Sequence, residues 1–321
     1  MFMRPLIVIR HIPNIDFMSW RKAGFVLSLL MTIASIVLFG VRGLNYGIDF
    51  SGGTIIEARS TQGPADLAAM RAQLDGLGLG DISLQGFGTP NDVLIRLPRQ
   101  PGGDKEQEQA VQVVKQKLGT AVDYRRTEVV GPKVGSELIR AGVIATILAL
   151  FAIAAYVWFR FEWQFGVGAM LSTLHDTVTT VGLFALLQIE FNLTTLAAIL
   201  TIAGYSINDT VVIYDRVRET MRKNRTMDFA ELINKSLNET LSRTILTVAT
   251  TTLAVLSLLL FGGEVLRGFS IAMLWGIVIG TYSSLFIAAP LLYYIRPNRG
   301  GTGKEAAPKD PAPAATPAVP R

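Results

Sequence analysis

The segment Phe191–Tyr214 reads FNLTTLAAILTIAGYSINDTVVIY, and one acid, Asp209, interrupts an otherwise uncharged run. A helix needs about 20 mainly apolar residues to cross a bilayer, and this run supplies them. It is followed by a basic stretch containing Arg216, Arg218, Arg222, Lys223 and Arg225. Five further segments meet the same test: Ala23–Val41, Ala141–Phe159, Gln164–Leu187, Thr244–Phe261 and Gly268–Ile295. The expectation is a polytopic α-helical membrane protein with six transmembrane helices. The 321 residues are 50% hydrophobic and only 17% charged, a balance foreign to soluble domains. The first span follows a polar stretch and lacks a clear small-x-small cleavage site, so it is expected to be an uncleaved anchor.

Several function classes fall away at once. There is no cysteine, which removes disulfides, thiolate catalysis and Cys-based metal sites. Two histidines without H-E-x-x-H, and no G-x-x-x-x-G-K-[ST], leave neither a zinc-protease helix nor an ATP-hydrolysing loop. No cofactor or metal is expected, and any work must draw on another energy source. The formal charge of +5 sits beside the apolar segments, so it reads as membrane topology rather than nucleic-acid binding.

Short-loop Lys and Arg set the orientation. Arg4, Arg10, Arg21 and Lys22 precede the first span, Arg160 follows the second, and the stretch 215–243 is basic throughout. Arg296, Arg299, Lys304 and Lys309 follow the sixth. The alternate loops are poor in basic residues. Both termini are therefore expected in the cytoplasm, with residues 1–22 a cytoplasmic segment, 23–41 the first transmembrane helix and 141–295 the other five. Residues 42–140 form an expected periplasmic domain. The Pro- and Ala-rich tail 296–321 is expected to be disordered. Within 215–243, Asp228 reads as the N-cap of an amphipathic helix carrying Phe229, Leu232, Ile233 and Leu237 on one face.

Residues 42–140 read as α+β. Thr54–Ala58 alternates as a strand, and Ala65–Leu77 has helical spacing. Asp81–Gly88 and Asp92–Leu97 read as strands around Thr89-Pro90-Asn91. Asp104–Leu118 is a second helix and Ala121–Val130 a last strand. The order β-α-β-β-α-β suggests a ferredoxin-like domain. It contains no catalytic constellation.

Three ionisable groups other than tyrosine lie inside the spans: His175, Asp176 and Asp209. Intramembrane charges cost several kcal/mol and face the interior, so these are candidates for function. At helical spacing Asp209 shares a face with Tyr205 and Ser206 and adjoins Asn208. Asp176 shares one with Ser172, Thr179 and Thr180, while Arg243, Thr247, Thr250 and Thr251 form a third polar stripe. Asp209 lies near the cytoplasmic end of its expected span. Arg243 opens the next span from that side, within reach of pairing with it. The three stripes could line a proton route, with Asp209 as the group that binds and releases. Two plainer readings stay open: a static Asp209–Arg243 pair that fixes helix register, and a His175 that only hydrogen-bonds Thr179 or a carbonyl. Gly276 and Gly280 read as close helix packing.

The run Gly43-Leu-Asn-Tyr-Gly-Ile-Asp-Phe-Ser-Gly-Gly53 resembles the segment after the first span in SecF-type members of the SecD/SecF protein-export family. So do Val130-Gly-Pro-Lys-Val-Gly-Ser-Glu137, Leu174-His-Asp-Thr177, Arg267-Gly-Phe269 and Gly280-Thr-Tyr-Ser-Ser284. The stretch from Ala203 to Glu219 carries the most specific match, and its Asn-Asp core is also similar to the proton-relay span of the wider RND superfamily. The resemblance implies half of an RND-like assembly in the bacterial inner membrane. The expected partner is SecD, beside the SecY-SecE-SecG translocon, with further contacts to YajC and YidC. It implies proton-motive force as the energy source and a translocating preprotein as cargo. Asp209 and Arg243 match the family's membrane acid and its arginine. Competing readings are an RND-type exporter of small molecules, which normally carries 12 spans, an intramembrane protease using Tyr205-Ser206 with His175, and a passive scaffold.

Cysteines placed at Ser60 and Thr302 should respond oppositely to an impermeant thiol reagent on intact spheroplasts. Ser60→Cys should label and Thr302→Cys should not; labelling of both refutes the topology.

Overall fold

A computed structural model describes residues 14–297. Residues 1–13 of the expected N-terminal segment and 298–321 of the expected tail lie outside it. Among the described residues, six helical runs are long and apolar enough to cross a membrane. They are α1 (Arg21–Arg42), α5 (Pro132–Arg160), α6 (Trp163–Leu187), α7 (Leu193–Lys223), α8 (Phe229–Phe261), and α9 (Gly263–Ser283) with its continuation. That continuation is a π-helical turn, Ser284–Ala288, leading into α10 (Ala289–Ile295). A one-turn helix, α2 (Ile48–Ser51), precedes the sheet domain.

Local chemistry sets these boundaries. Asn192 and Thr195 form a reciprocal capping box at the start of α7. The Asp228 carboxylate accepts from the Ala230 and Glu231 amides and starts α8. No Gly or Pro follows until Gly262, so nothing stops the helix before the membrane. The expected basic loop 215–243 is therefore corrected. α7 runs on to Lys223 and α8 begins at Phe229, leaving a connection of residues 224–228. The expected amphipathic helix is the first part of α8. Phe229, Leu232, Ile233 and Leu237 are buried on one face as anticipated, in a cluster with Phe17, Met18, Val217 and Met221.

Two asparagines of α8 strap the chain before α1 onto this cluster. Asn238 accepts from the Ile15 amide and donates to the Ile15 carbonyl, both at 2.8 Å. Asn234 accepts from the Met18 amide at 2.9 Å.

The domain between α1 and α5 has the expected order: β1 (Gly53–Ser60), α3 (Leu67–Leu74), β2 (Ser83–Phe87), β3 (Thr89–Leu97), α4 (Asp104–Leu118) and β4 (Val122–Val130). The strands form one antiparallel sheet in the order β2-β3-β1-β4, the ferredoxin-like arrangement. Alternation puts Ile56, Ala58, Val93 and Ile95 on one face, against Leu74, Val111 and Val114 of the two helices. The strand pair turns earlier than expected, at Gly88 (φ 67°), because Thr89 is already in β3. Its hydroxyl donates to Asp92 Oδ2 at 2.7 Å, and Arg59 grips the same carboxylate through Nε and Nη2 at 2.6 and 2.9 Å. These bonds, Arg59 foremost, hold the Asp92 carboxyl well below the usual range.

Sheet domain and helices meet through the residues before β1. Phe191 donates to Asn45 O at 2.7 Å and accepts from Gly47 N at 2.9 Å. Asp49 Oδ2 accepts from the Leu193 amide at the start of α7, and Arg96 of β3 pairs with Glu190. Gly52 and Gly53 take positive φ (73° and 132°), which lets the chain turn from α2 into β1 without a Cβ clash.

The sheet domain has its own core, so residues 43–134 expressed alone should show a mixed α/β far-UV spectrum and a cooperative thermal transition. A disordered spectrum would mean that the helices complete the fold. Because the folded Asp92 is depressed, its stabilising contribution is present above the unfolded value of about 3.9 and fades as pH falls below it. The melting temperature of this fragment should therefore drop more steeply below about pH 4 than that of its Asp92→Asn variant.

Candidate functional site

Asp176 occupies the middle of α6 and is completely buried. Its Oδ2 accepts from Ser206 Oγ of α7 at 2.6 Å and from Ser283 Oγ of α9 at 2.8 Å. Its Oδ1 lies 3.1 Å from His175 Nδ1. Three helices therefore converge on one carboxylate. Gly280 permits it: a Cβ there would stand 3.0 Å from Ser206 Cβ, and one at Gly276 would collide with Ile202. The expected close packing at these two glycines is what α7 and α9 use. Beyond Ser283 the π turn begins, and Ser284 exchanges a hydrogen bond with Thr210 at 2.8 Å. Two adjacent serines thus serve two different helices, a placement consistent with π turns at functional sites. Thr179 and Thr180 bond carbonyls of their own helix.

Asp209 lies near the middle of the 31-residue α7, which runs on past the expected span end at Tyr214 to Lys223. Its Oδ1 accepts from Thr244 Oγ1 of α8 at 2.7 Å, and its Oδ2 is buried with no hydrogen-bond partner. Tyr205, Asn208, Thr247 and Thr281 line a small recess beside it. The expected Asp209–Arg243 contact is not formed: no ion pair joins them among the described residues, and Arg243 is exposed. Successive helix positions differ by about 100°. With Thr244 turned toward α7, its neighbour Arg243 is carried to the side.

The structure brings Asp176, His175 and Ser206 together, and Asp209 sits beside them in a recess that Ser206 also lines. α7 links the two places, since Ser206 and Asp209 lie one turn apart on it. Ser283, Ser284, Thr210 and Thr244 were not among the expected site residues. The serine hydroxyl here donates to the acid and does not meet His175, whose Nε2 is buried without a partner. That is not the Ser-His-Asp order of a protease, in which the histidine lies between.

Two family models match: "Protein export membrane protein SecD/SecF, C-terminal" over residues 110–298 and "SecD/SecF GG Motif" over residues 37–64. The chain belongs to the SecD/SecF family. It is 45% identical over 293 residues to the protein translocase subunit SecF of Rickettsia rickettsii, covering 88% of this chain and 94% of that one. To the subunit of the same name from Cereibacter sphaeroides it is 46% identical over 301 residues, with 91% and 93% covered. The crystal structure of SecDF from Thermus thermophilus, a translocon-associated membrane protein, superposes with a TM-score of 0.79 at 35% identity. The match takes in 91% of this chain, which spans 40% of that longer one. A second SecDF structure, in a super-membrane-facing form, gives 0.69. This SecF-type chain is a multi-pass membrane protein with a role in protein export, and its relatives are named as translocase subunits. The segment from Gly43 to Gly53 lies in the matched GG-motif region and is the stretch that ties the sheet domain to α7.

Replacing Asp176 by Ala leaves Ser206 and Ser283 without their shared acceptor. At roughly 0.6 kcal/mol per intramembrane hydrogen bond, the detergent-solubilised protein should lose about 1–2 kcal/mol. Asp176→Asn, which keeps an acceptor oxygen, should lose less. Thermal unfolding followed by circular dichroism checks this, and equal stability of all three proteins would show that the cluster does not hold the helices together.

Proposed function

We propose that this SecF-type chain pairs with a SecD subunit beside the SecY-SecE-SecG channel and uses the proton-motive force to promote preprotein translocation. In this reading the bilayer is the bacterial inner membrane, the termini are cytoplasmic and the sheet domain is periplasmic. YajC and YidC are further partners by resemblance alone. The observation that carries the reading is the Asp209 carboxylate. One oxygen is held by Thr244 and the other is buried and unpartnered, inside a helix apolar enough to span the membrane. A buried, half-satisfied carboxylate is unfavourable as an anion, and adding a proton relieves it.

Asp209 takes up and releases the proton, and Tyr205, Asn208 and Thr247 line its access. Arg243 is the counter-charge that approaches when the acid is ionised. Asp176, with His175 and Ser206, forms the inner part of the polar route. The exposure of Asn208 and Arg243 supports a second six-helix half of an RND-like assembly packing on this face.

Asp209→Asn should insert and accumulate normally, assemble with SecD, and lose the proton-dependent stimulation of export in reconstituted vesicles. Thr244→Val, which leaves both carboxylate oxygens without a donor but keeps the acid, should retain stimulation with a displaced pH profile. Full stimulation by Asp209→Asn at normal abundance would remove Asp209 as the carrier.

A further inference from the structure

On the sheet-domain side of the helices, between α1 and α5, lies an apolar cleft of about 290 Å³. Phe39 of α1 and Ile139, Val143 and Ile147 of α5 wall it, with Val181 and Leu196 beneath. α1 packs on α6, and α5 packs on α6 and α7, so neither flanking helix closes the gap. Gly142 keeps α5 close to α7, since a Cβ there would stand 2.7 Å from Leu196 Cδ2. Besides the Tyr46 phenol, two hydroxyls line the cleft, and both are already bonded within their own helices. Thr146 donates to Gly142 O at 2.8 Å and Thr177 to Thr173 O at 2.9 Å. The cleft therefore offers a ligand mainly apolar contact, with Tyr46 as its one hydroxyl not bonded within a helix.

Its rim is different. Arg42 lies one turn beyond Phe39, and Arg140 one turn before Val143, both exposed at the end nearest the sheet domain. Arg140 makes no ion pair among the described residues, and Arg42 spends only Nη1, on Leu186 O at 2.9 Å. Of the acids near this end, Asp49 caps α7 and Glu190 pairs with Arg96, while the exposed Glu137 lies one turn before Arg140 on α5.

We propose that the cleft holds an acyl chain of an anionic phospholipid whose phosphate is gripped between Arg42 and Arg140. The walls belong to helices that cross the membrane, so the cleft opens where acyl chains are the surrounding solvent. Guanidinium groups suit phosphate geometry, and two of them outnumber the single acid Glu137 on this rim, which favours a headgroup of net negative charge. The bound lipid fills the space between α1 and α5, the two helices from which the sheet domain hangs, and so stiffens its attachment.

The test uses the full chain in mild detergent, with phosphatidylglycerol or phosphatidylethanolamine added and native mass spectrometry as the readout. A single phosphatidylglycerol should be retained in preference to phosphatidylethanolamine by a factor on the order of fivefold or more. Arg42→Gln with Arg140→Gln should abolish the preference, and Thr146→Phe, which fills the cleft, should lower retention of both lipids. Should Thr146→Phe misfold, the exposed arginine pair decides alone. Equal retention of the two lipids, or a preference unchanged by the arginine substitutions, overturns the proposal. A photo-crosslinking amino acid at Val143 in native membranes gives an independent readout. An adduct of phospholipid mass supports the proposal; an adduct of polypeptide mass, marking a partner helix as the occupant, or no adduct at all, overturns it.

Discussion

The hydrogen bonds to Asp176 are the constraint around which the helices are arranged. A carboxylate wholly inside a membrane-spanning bundle has no water to turn to, so its donors must come from the protein. Ser206 and Ser283 reach the same oxygen from two helices, and they can do so only if α7 and α9 both come close to α6. Glycine at 276 and 280 makes the approach possible. The π turn follows directly, allowing Ser283 to face α6 and Ser284 to face α7. Replacing the acid would remove the reason for this convergence, whatever protons it does or does not carry.

α7 joins the two halves of the molecule. Its first residues are held by the chain that leads into the sheet domain, through Asp49 on the Leu193 amide and Phe191 between Asn45 and Gly47. Its middle carries Ser206 and Asp209. An uninterrupted helix is a stiff element, so a displacement of the domain junction and a change at the carboxylates act on one body. The Arg96–Glu190 pair adds a second tie at the same junction. Burial raises Glu190 above the ordinary glutamate range, and Arg96 opposes that shift.

Much of this was legible in the residues. Long uncharged runs declare spans, and strict alternation with turn residues declared the sheet domain, where α4 coincides with the expected Asp104–Leu118. The helix lengths beyond the spans were not legible, because a charged stretch such as 215–243 suits an exposed helix as well as a loop. Asp228 was recognised as a cap, but its helix was not traced into the membrane. The donors to Asp176 were hidden for another reason. Hydroxyls within spans commonly bond their own helix, as Thr179, Thr180 and Thr247 do here, so the sequence does not distinguish the few that reach across. Nor does proximity in sequence decide between Thr244 and Arg243 as the partner of Asp209, because a single residue of helix phase separates them.

That phase difference bears on how an arginine could reach Asp209 in the proposed cycle. Turning α8 by about 100° would exchange Thr244 for Arg243 at the carboxylate. The same turn would break the Asn234 and Asn238 bonds to residues 15–18 and pull Leu232, Ile233 and Leu237 out of a fully buried cluster. A swing of the Arg243 side chain breaks none of these. Its guanidinium starts exposed and pays mainly rotamer freedom, of about 2 kcal/mol for such a side chain. Thr244 can keep its bond to Oδ1 throughout, because Oδ2 is the oxygen left open. The asymmetry of the carboxylate thus favours a local exchange at Oδ2 over rotation of the helix.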